Sequence, residues 1–79
     1  MIATIAVYDN TNGNIYVQKL GQFDHVDNEK AQEAVRNFLV DNYWAREFAQ
    51  KAKMHSYDYD ELIEDAACDG IIIGGIQYL

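Results

Sequence analysis

The hydrophobic positions between residues 28 and 53 form the longest glycine-free run that keeps helical spacing. Their first half repeats at offsets i, i+3, i+4, i+7 and i+8, which place side chains on one side of an α-helix; these are Ala31, Ala34, Val35, Phe38 and Leu39. From Val40 onward the apolar residues fall about one position out of phase with this stripe. The pattern predicts either one helix with a wide apolar face or a helix that bends near Asp41 and Asn42.

The first twenty residues have the pattern of two β-strands joined by a turn. Residues 2–8 alternate loosely and are rich in β-branched side chains, which is typical of a strand with one buried face and one partly covered face. Residues 9–14 favour a turn, and Asn12-Gly13 suits the positive backbone angles of a type I′ hairpin. Residues 15–20 form the predicted return strand, with Ile15 and Val17 on one face.

A second helix is predicted after residue 57. Asp58 is followed three residues later by Glu61, which is an acidic variant of the capping box that begins many helices. Gly70 stands where a left-handed residue is expected to end the helix. The apolar residues between them recur at helical spacing and define its buried face: Tyr59, Leu62, Ile63, Ala66 and Ala67.

The chain ends with a predicted strand. Residues 71–73 are three isoleucines, a run typical of a strand covered on both faces. Gly74 and Gly75 should bend this strand before residues 76–79. The order β-β-α-α-β predicts one α+β domain over residues 1–79, with a three-stranded, mainly antiparallel sheet and helices packed on one face. The last strand is expected at the centre or beside the first, because its apolar run needs cover.

The net charge of −7 is concentrated in the last third of the chain. Residues 1–53 hold seven acidic and six basic side chains. Residues 54–79 contain no lysine or arginine and six carboxylates: Asp58, Asp60, Glu61, Glu64, Asp65 and Asp69. Such a field repels nucleic acid and membrane surfaces and attracts basic protein surfaces. Direct binding of nucleic acid or membrane is therefore not expected.

Composition also bounds the environment. Cys68 is the one cysteine, so an intramolecular disulfide is excluded. No apolar run approaches the length of a membrane span, and the N-terminus lacks the basic region of a signal peptide. The expected location is the cytoplasm.

The acidic segment offers two chemical interpretations. Carboxylates between Asp58 and Asp65 are suitable ligands for Mg²⁺ or Ca²⁺. However, the slots at which an EF-hand loop needs an oxygen ligand and a glycine hold Leu62 and Ile63. A solvated helix face is favoured over a metal site.

Other chemistry has weaker support. The spacing of His25, His55 and Cys68 matches no zinc or thiol-enzyme pattern. Gly70 and the Gly74-Gly75 pair lack the Gly-Lys-Ser/Thr ending of a phosphate loop. The sequence predicts neither catalysis nor a cofactor.

Charge density gives the acidic segment a more specific interpretation. Its twelve residues would span about 18 Å as a helix, which is roughly 3 Å per carboxylate. A nucleic-acid strand carries a charge about every 3.4 Å, so the segment matches a basic groove that normally holds a phosphate backbone. Nearby aromatic residues are candidate anchors. The predicted contact residues are Asp58, Asp60, Glu61, Glu64, Asp65, Asp69, Tyr57 and Trp44, and Tyr59 and Tyr78 are further candidate anchors.

In size, acidity and compact α/β pattern, the chain resembles the small acidic proteins that phages use to inhibit host defence, among them anti-CRISPR and antirestriction proteins. No residue motif carries this resemblance, and it assigns no functional residue. It implies an inhibitor that acts in the host cytoplasm. The alternatives are a dimeric structural or adaptor protein without catalytic activity and a small metal-dependent enzyme that uses the carboxylates of residues 58–65.

The phase shift after Leu39 predicts a further contact surface. Tyr43, Trp44 and Phe48 present more apolar area than a three-stranded sheet can readily cover. We expect part of this group to be exposed and to form a homodimer contact or a partner contact.

Overall fold

The structure, a computed structural model, describes residues 1–43 and 58–79. Its elements in chain order are β1 (Ile2–Asp9), β2 (Asn14–Gln22), α1 (Asn28–Tyr43), α2 (Tyr59–Cys68), β3 (Ile71–Ile73) and β4 (Gln77–Tyr78). The strands form one four-stranded sheet of order β2-β1-β3, in which β4 also pairs with β1. Every pairing is antiparallel. The α+β prediction is confirmed, whereas the predicted count of three strands is one too few.

β1 lies at the centre of the sheet. It pairs along its length with β2 on one side and with β3 and then β4 on the other. Successive side chains of a strand point to opposite faces, and the buried set Ala3, Ile5 and Val7 marks the face covered by the helices. We call this the inner face and the opposite one the outer sheet face.

The predicted bend at the C-terminal glycines divides the last strand into two. The amide of Gly74 donates to the carbonyl of Ala6 over 2.8 Å, and a Cβ at Gly74 would lie 3.3 Å from the Cβ of Ala6. β3 and β4 therefore lie beside β1 on either side of this close approach, which explains the extra strand. The prediction that the isoleucine run is covered on both faces is wrong. Ile71 is 2% exposed but Ile72 is 47% exposed, because the two described helices lie on the face to which Ile71 points.

The hairpin between β1 and β2 is present, but its turn is not the predicted type I′ turn. Gly13 has a φ of +75°, whereas Asn12 does not have a positive φ. The carboxylate of Asp9 accepts from the amide of Thr11 over 3.0 Å and from the Thr11 hydroxyl. The Gly13 amide donates to the Asp9 carbonyl over 2.8 Å. These bonds stabilise a longer loop because the side chain of Asp9 organises the backbone that follows it.

α1 begins at a cap within the predicted region. Asp27 accepts from the amide of Lys30 through its carboxylate over 3.1 Å and from the amide of Ala31 through its carbonyl over 3.0 Å. Leu39 and Val40 are both buried, and the helix continues to Tyr43. Up to that residue the helix carries a wide apolar face. The alternative of a bend near Asp41 and Asn42 stays a prediction. The rest of the predicted helix, residues 44–53, lies outside the described residues.

The main core lies between the inner face of the sheet and the two helices. Phe38 and Tyr43 pack at its edge as partly buried side chains, with their rings edge to face at 5.9 Å. Its fully buried members are Ile5, Val7, Val35, Leu39, Val40, Leu62, Ala66 and Ile71. Both helices are thus held on one side of the sheet, as predicted.

Candidate functional site

The acidic segment forms α2, and its N-terminus is fixed by Asp58. The carboxylate of Asp58 accepts from the amide of Glu61 over 2.9 Å, which satisfies one of the free amides of the first turn. At the other end Gly70 has a φ of +88°, as the sequence predicted. Leu62 and Ala66 are buried against the sheet. The cap and the apolar stripe together determine which side of α2 faces solvent.

The exposed side of α2 is a continuous band of carboxylates. Asp60, Glu61 and Glu64 are exposed, and Asp65 is half-buried at the margin of the band. At about 100° per residue these four positions cover roughly 140° of the helix circumference. The buried stripe of Leu62 and Ala66 lies on the opposite side. The carboxylates therefore form one surface instead of being scattered around the helix.

The remaining predicted contact residues differ in role. One carboxylate oxygen of Asp58 is occupied by the cap, and Asp69 is exposed at the C-terminal end of α2. Tyr57 and Trp44 lie outside the described residues. The structure therefore brings three of the eight residues together as an exposed group on the solvent side of α2, Asp60, Glu61 and Glu64. We call these three residues the acidic face.

Two aromatic residues that the sequence indicated as candidate anchors pack within the protein. Tyr59 is half-buried and packs against the main core. Tyr78 packs edge to face on Phe23 at 5.9 Å, and its hydroxyl donates to Asn28 over 2.9 Å. Both tyrosines are half-buried in the packing between sheet and helices, and their role as partner anchors stays a prediction.

The acidic face has no neutralising partner in the described part of the chain. Within residues 1–43 and 58–79, no ion pair involves Asp60, Glu61 or Glu64. Arg36 pairs with Glu33 at 3.4 Å on α1, and Lys30 lies 4.4 Å from the ring centre of Phe23.

The negative charge of the acidic face affects the pKa of the neighbouring Tyr59. Its pKa is raised, first by burial and then by the charge of Asp60. Both causes favour the neutral phenol, so Tyr59 remains uncharged beside the carboxylates.

The structure also places the residues considered for metal binding or thiol chemistry. Glu61, Glu64, Asp65 and Cys68 line a shallow depression on α2. In residues 1–43 and 58–79, no three His, Cys, Asp or Glu side chains converge so that they could hold a metal ion. His25 is exposed in the loop before α1, Cys68 is an exposed free thiol on α2, and His55 lies outside the described residues.

The sequence interpretation missed a second exposed surface. With both helices on the inner face, the outer sheet face is left open, and it carries the exposed apolar residues Tyr8, Ile15, Val17, Ile72 and Leu79. Alternation had assigned Ile15 and Val17 to a common face, and that assignment is confirmed. The open state of the face was not predicted, because alternation does not tell whether a second layer covers it.

Neither described helix has the length and apolar composition that crossing a membrane requires. No protein-family model, curated protein or solved structure matches this chain significantly.

Proposed function

We propose that this protein is a non-catalytic binding protein whose acidic face occupies a basic, nucleic-acid-binding site on a partner protein. The observation that carries the proposal is the position of Asp60, Glu61 and Glu64, which lie exposed opposite the buried stripe of α2 and form no ion pair within residues 1–43 and 58–79. No lysine or arginine occurs in residues 58–79. The negative field of α2 is therefore directed outward and is not neutralised within its own segment.

The choice of a nucleic-acid site follows from charge spacing. Exposed carboxylates one helical turn apart lie about 5–6 Å from each other. A carboxylate between them on the band shortens the spacing of the charges along the helix axis. A site that normally binds a phosphate backbone presents several lysine or arginine side chains along a groove. Such a groove attracts a helix with several negative charges and disfavours a neutral one. Occupation of the groove would exclude nucleic acid, which makes the protein an inhibitor in the manner that its resemblance to phage anti-defence proteins implies.

The energetics of this binding should be additive and sensitive to salt. Exposed ion pairs contribute about 0.2–1 kcal/mol each, and at physiological ionic strength charges are screened over about 8 Å. Affinity must therefore come from several carboxylates that act together at close range. Long-range attraction would mainly raise the association rate.

The experiment compares two triple variants with the same change of charge. One removes the acidic face, Asp60→Asn with Glu61→Gln and Glu64→Gln. The control changes three exposed carboxylates elsewhere, Asp24→Asn with Glu29→Gln and Asp41→Asn. Each protein is immobilised and used to capture proteins from a lysate of the cells in which the parent naturally acts.

We expect the parent and the control to retain a basic protein that the acidic-face variant does not retain. Added single-stranded oligonucleotide or high salt should release it. Equal retention by both triple variants, or retention of the partner together with its nucleic acid, would contradict the proposal.

A second candidate function is a dimeric adaptor, which is favoured by the open outer sheet face rather than by α2. The contacts of such an adaptor would be apolar. Its binding should therefore persist at high salt, unlike binding through the acidic face.

A further inference from the structure

The outer sheet face is an exposed apolar surface on regular strands. Ile15 is 75% exposed, Val17 is 71% exposed and Leu79 is 77% exposed. Tyr8 pairs with Ile15 on one side and with Ile72 on the other, which places these three side chains in a row across the sheet. Single exposed apolar residues are ordinary, but contiguous exposed apolar patches mark contact sites.

The same face lacks the charge that dominates the rest of the protein. β2, β3 and β4 contain no acidic residue, and Asp9, the acidic residue of β1, lies on the inner face next to buried Val7 and Ile5 in the alternation. Lys19 lies opposite Thr4 in the register, so the one charged side chain of β2 on this face is positive. The net charge of −7 would oppose self-association through an acidic surface. Across the outer sheet face this opposition is small, because the carboxylates of α1 and α2 lie on the helix side.

The face also combines projecting side chains with a hollow. Because Gly74 has no side chain where it crosses Ala6, a depression of about 320 Å³ remains between Val17 and Leu79, with Thr4 at its base. A depression beside exposed aliphatic side chains is the shape that accepts an aliphatic side chain from a second, identical face. In a two-fold arrangement, each copy would provide both features.

We infer that the outer sheet face is the contact between two copies of this chain, packed sheet on sheet around a two-fold axis. Strands of eight or nine residues are about 28 Å long and three neighbouring strands are about 14 Å wide. The flat footprint is therefore about 400 Å² per copy, and side-chain relief increases it. Together the two flat footprints make about 800 Å², and side-chain relief brings the buried area toward the lower limit of about 1,000 Å² for a specific interface. An interface of this size is at the small end of specific contacts, so we expect the dimer to dissociate on dilution.

Face-to-face packing accounts for the exposed side chains better than the other arrangement available to this sheet. β2 is an edge strand, so two copies might instead be imagined to pair edge to edge through their backbones. That arrangement leaves Ile15, Val17 and Leu79 in water and doubles the exposed apolar area. Sheet-on-sheet packing buries them at the usual separation of about 10 Å between sheets.

The test is sedimentation equilibrium of the parent and three variants over a wide range of concentration. Ile15→Thr with Val17→Thr removes apolar surface and retains β-branched side chains that suit a strand. Leu79→Thr does the same on the other side of the depression. Val26→Thr is the matched control, since Val26 is 56% exposed but lies in the loop before α1.

We expect the parent and Val26→Thr to dimerise equally, and the two outer-face variants to raise the dissociation constant at least tenfold. High salt should leave the dimer intact or strengthen it, because it screens the repulsion between two acidic copies. A parent that is monomeric at every concentration would overturn the inference. Outer-face variants that associate as tightly as the parent would also overturn it and would favour pairing through the β2 edge.

The dimer and the proposed function can fail separately. The outer-face variants retain the acidic face, and the acidic-face variant retains the outer sheet face. If the dimer forms as predicted, its two acidic faces are directed away from each other and each remains available to a partner.

Discussion

Leu39 and Phe38 are adjacent in sequence but contribute differently to the fold. Leu39 is 0% exposed and belongs to the cluster that joins α1, α2 and the inner face of the sheet. Phe38 is partly buried at the edge of this cluster, against Tyr43. The removal of a fully buried side chain leaves a cavity, whereas at the edge of a core water and neighbouring groups can fill the space.

We therefore expect Leu39→Ala to lower the free energy of unfolding by about 2–5 kcal/mol, and Phe38→Ala to lower it by less. Urea unfolding of the parent and both variants measures this difference. The sequence pattern places Phe38 and Leu39 on the same apolar stripe and does not distinguish them. An equal loss of stability in the two variants would contradict the predicted difference between the centre and the edge of the core.

The contact between Tyr16 and Tyr43 should make the stability of the protein depend on pH in the alkaline range. The hydroxyls of Tyr16 and Tyr43 form a hydrogen bond of 2.8 Å between β2 and α1. Burial, followed by this hydrogen bond, raises the pKa of Tyr43 well above its ordinary value of 10.0. At a pH well below 10.0, Tyr43 is protonated in both the folded and the unfolded chain. Above pH 10.0 the unfolded chain loses the proton first, so the free energy of unfolding falls as the pH rises.

Tyr43→Phe should reduce this alkaline loss, at a cost of about 0.5–1.5 kcal/mol at neutral pH for the lost hydrogen bond. The measurement is the urea midpoint from neutral pH to above pH 10, and Tyr8→Phe is the control because Tyr8 is exposed. An alkaline loss of the same size in Tyr43→Phe and the parent would contradict the assignment to Tyr43.

At the scale of elements, the features that depend on neighbouring residues in sequence could be predicted and those that depend on distant residues could not. The helix cap at Asp58, the left-handed Gly70 and the faces of β2 follow from local sequence, and the structure confirms them. The fourth strand depends on the approach of Gly74 to Ala6, nearly the whole chain length away. The turn after β1 depends on a side-chain bond from Asp9 that competes with the Asn12-Gly13 signal.

The cap of α2 can be tested by separating hydrogen bonding from charge. Asp58→Ala should cost about 1 kcal/mol, because the amide of Glu61 loses its acceptor. Asp58→Asn retains an acceptor oxygen and should cost clearly less. Urea unfolding compares the two variants. Equal losses would show that the charge of Asp58, and not its hydrogen bond, stabilises the start of α2.

At the scale of the whole molecule, the two surfaces lie on opposite layers. The helix layer carries the acidic face, and the sheet layer carries an apolar face without carboxylates. The sequence indicated the first surface because charge can be counted along the chain. It did not indicate the second, since the exposure of Ile15, Val17 and Ile72 depends on where the helices lie. The predicted contact through Tyr43, Trp44 and Phe48 stays a prediction for Trp44 and Phe48, which lie outside the described residues, whereas Tyr43 is half-buried and bonded to Tyr16.

The binding role of the acidic face is tested by the dissociation constant of the captured partner, measured as a function of salt for the parent and the two triple variants. At low salt, loss of the acidic face should weaken binding about 3- to 150-fold, at about 0.2–1 kcal/mol for each lost charge pair. It should also flatten the salt dependence, whereas the control with Asp24, Glu29 and Asp41 neutralised should resemble the parent. Equal weakening and equal salt dependence in the two triple variants would show that net charge alone, and not the acidic face of α2, determines binding.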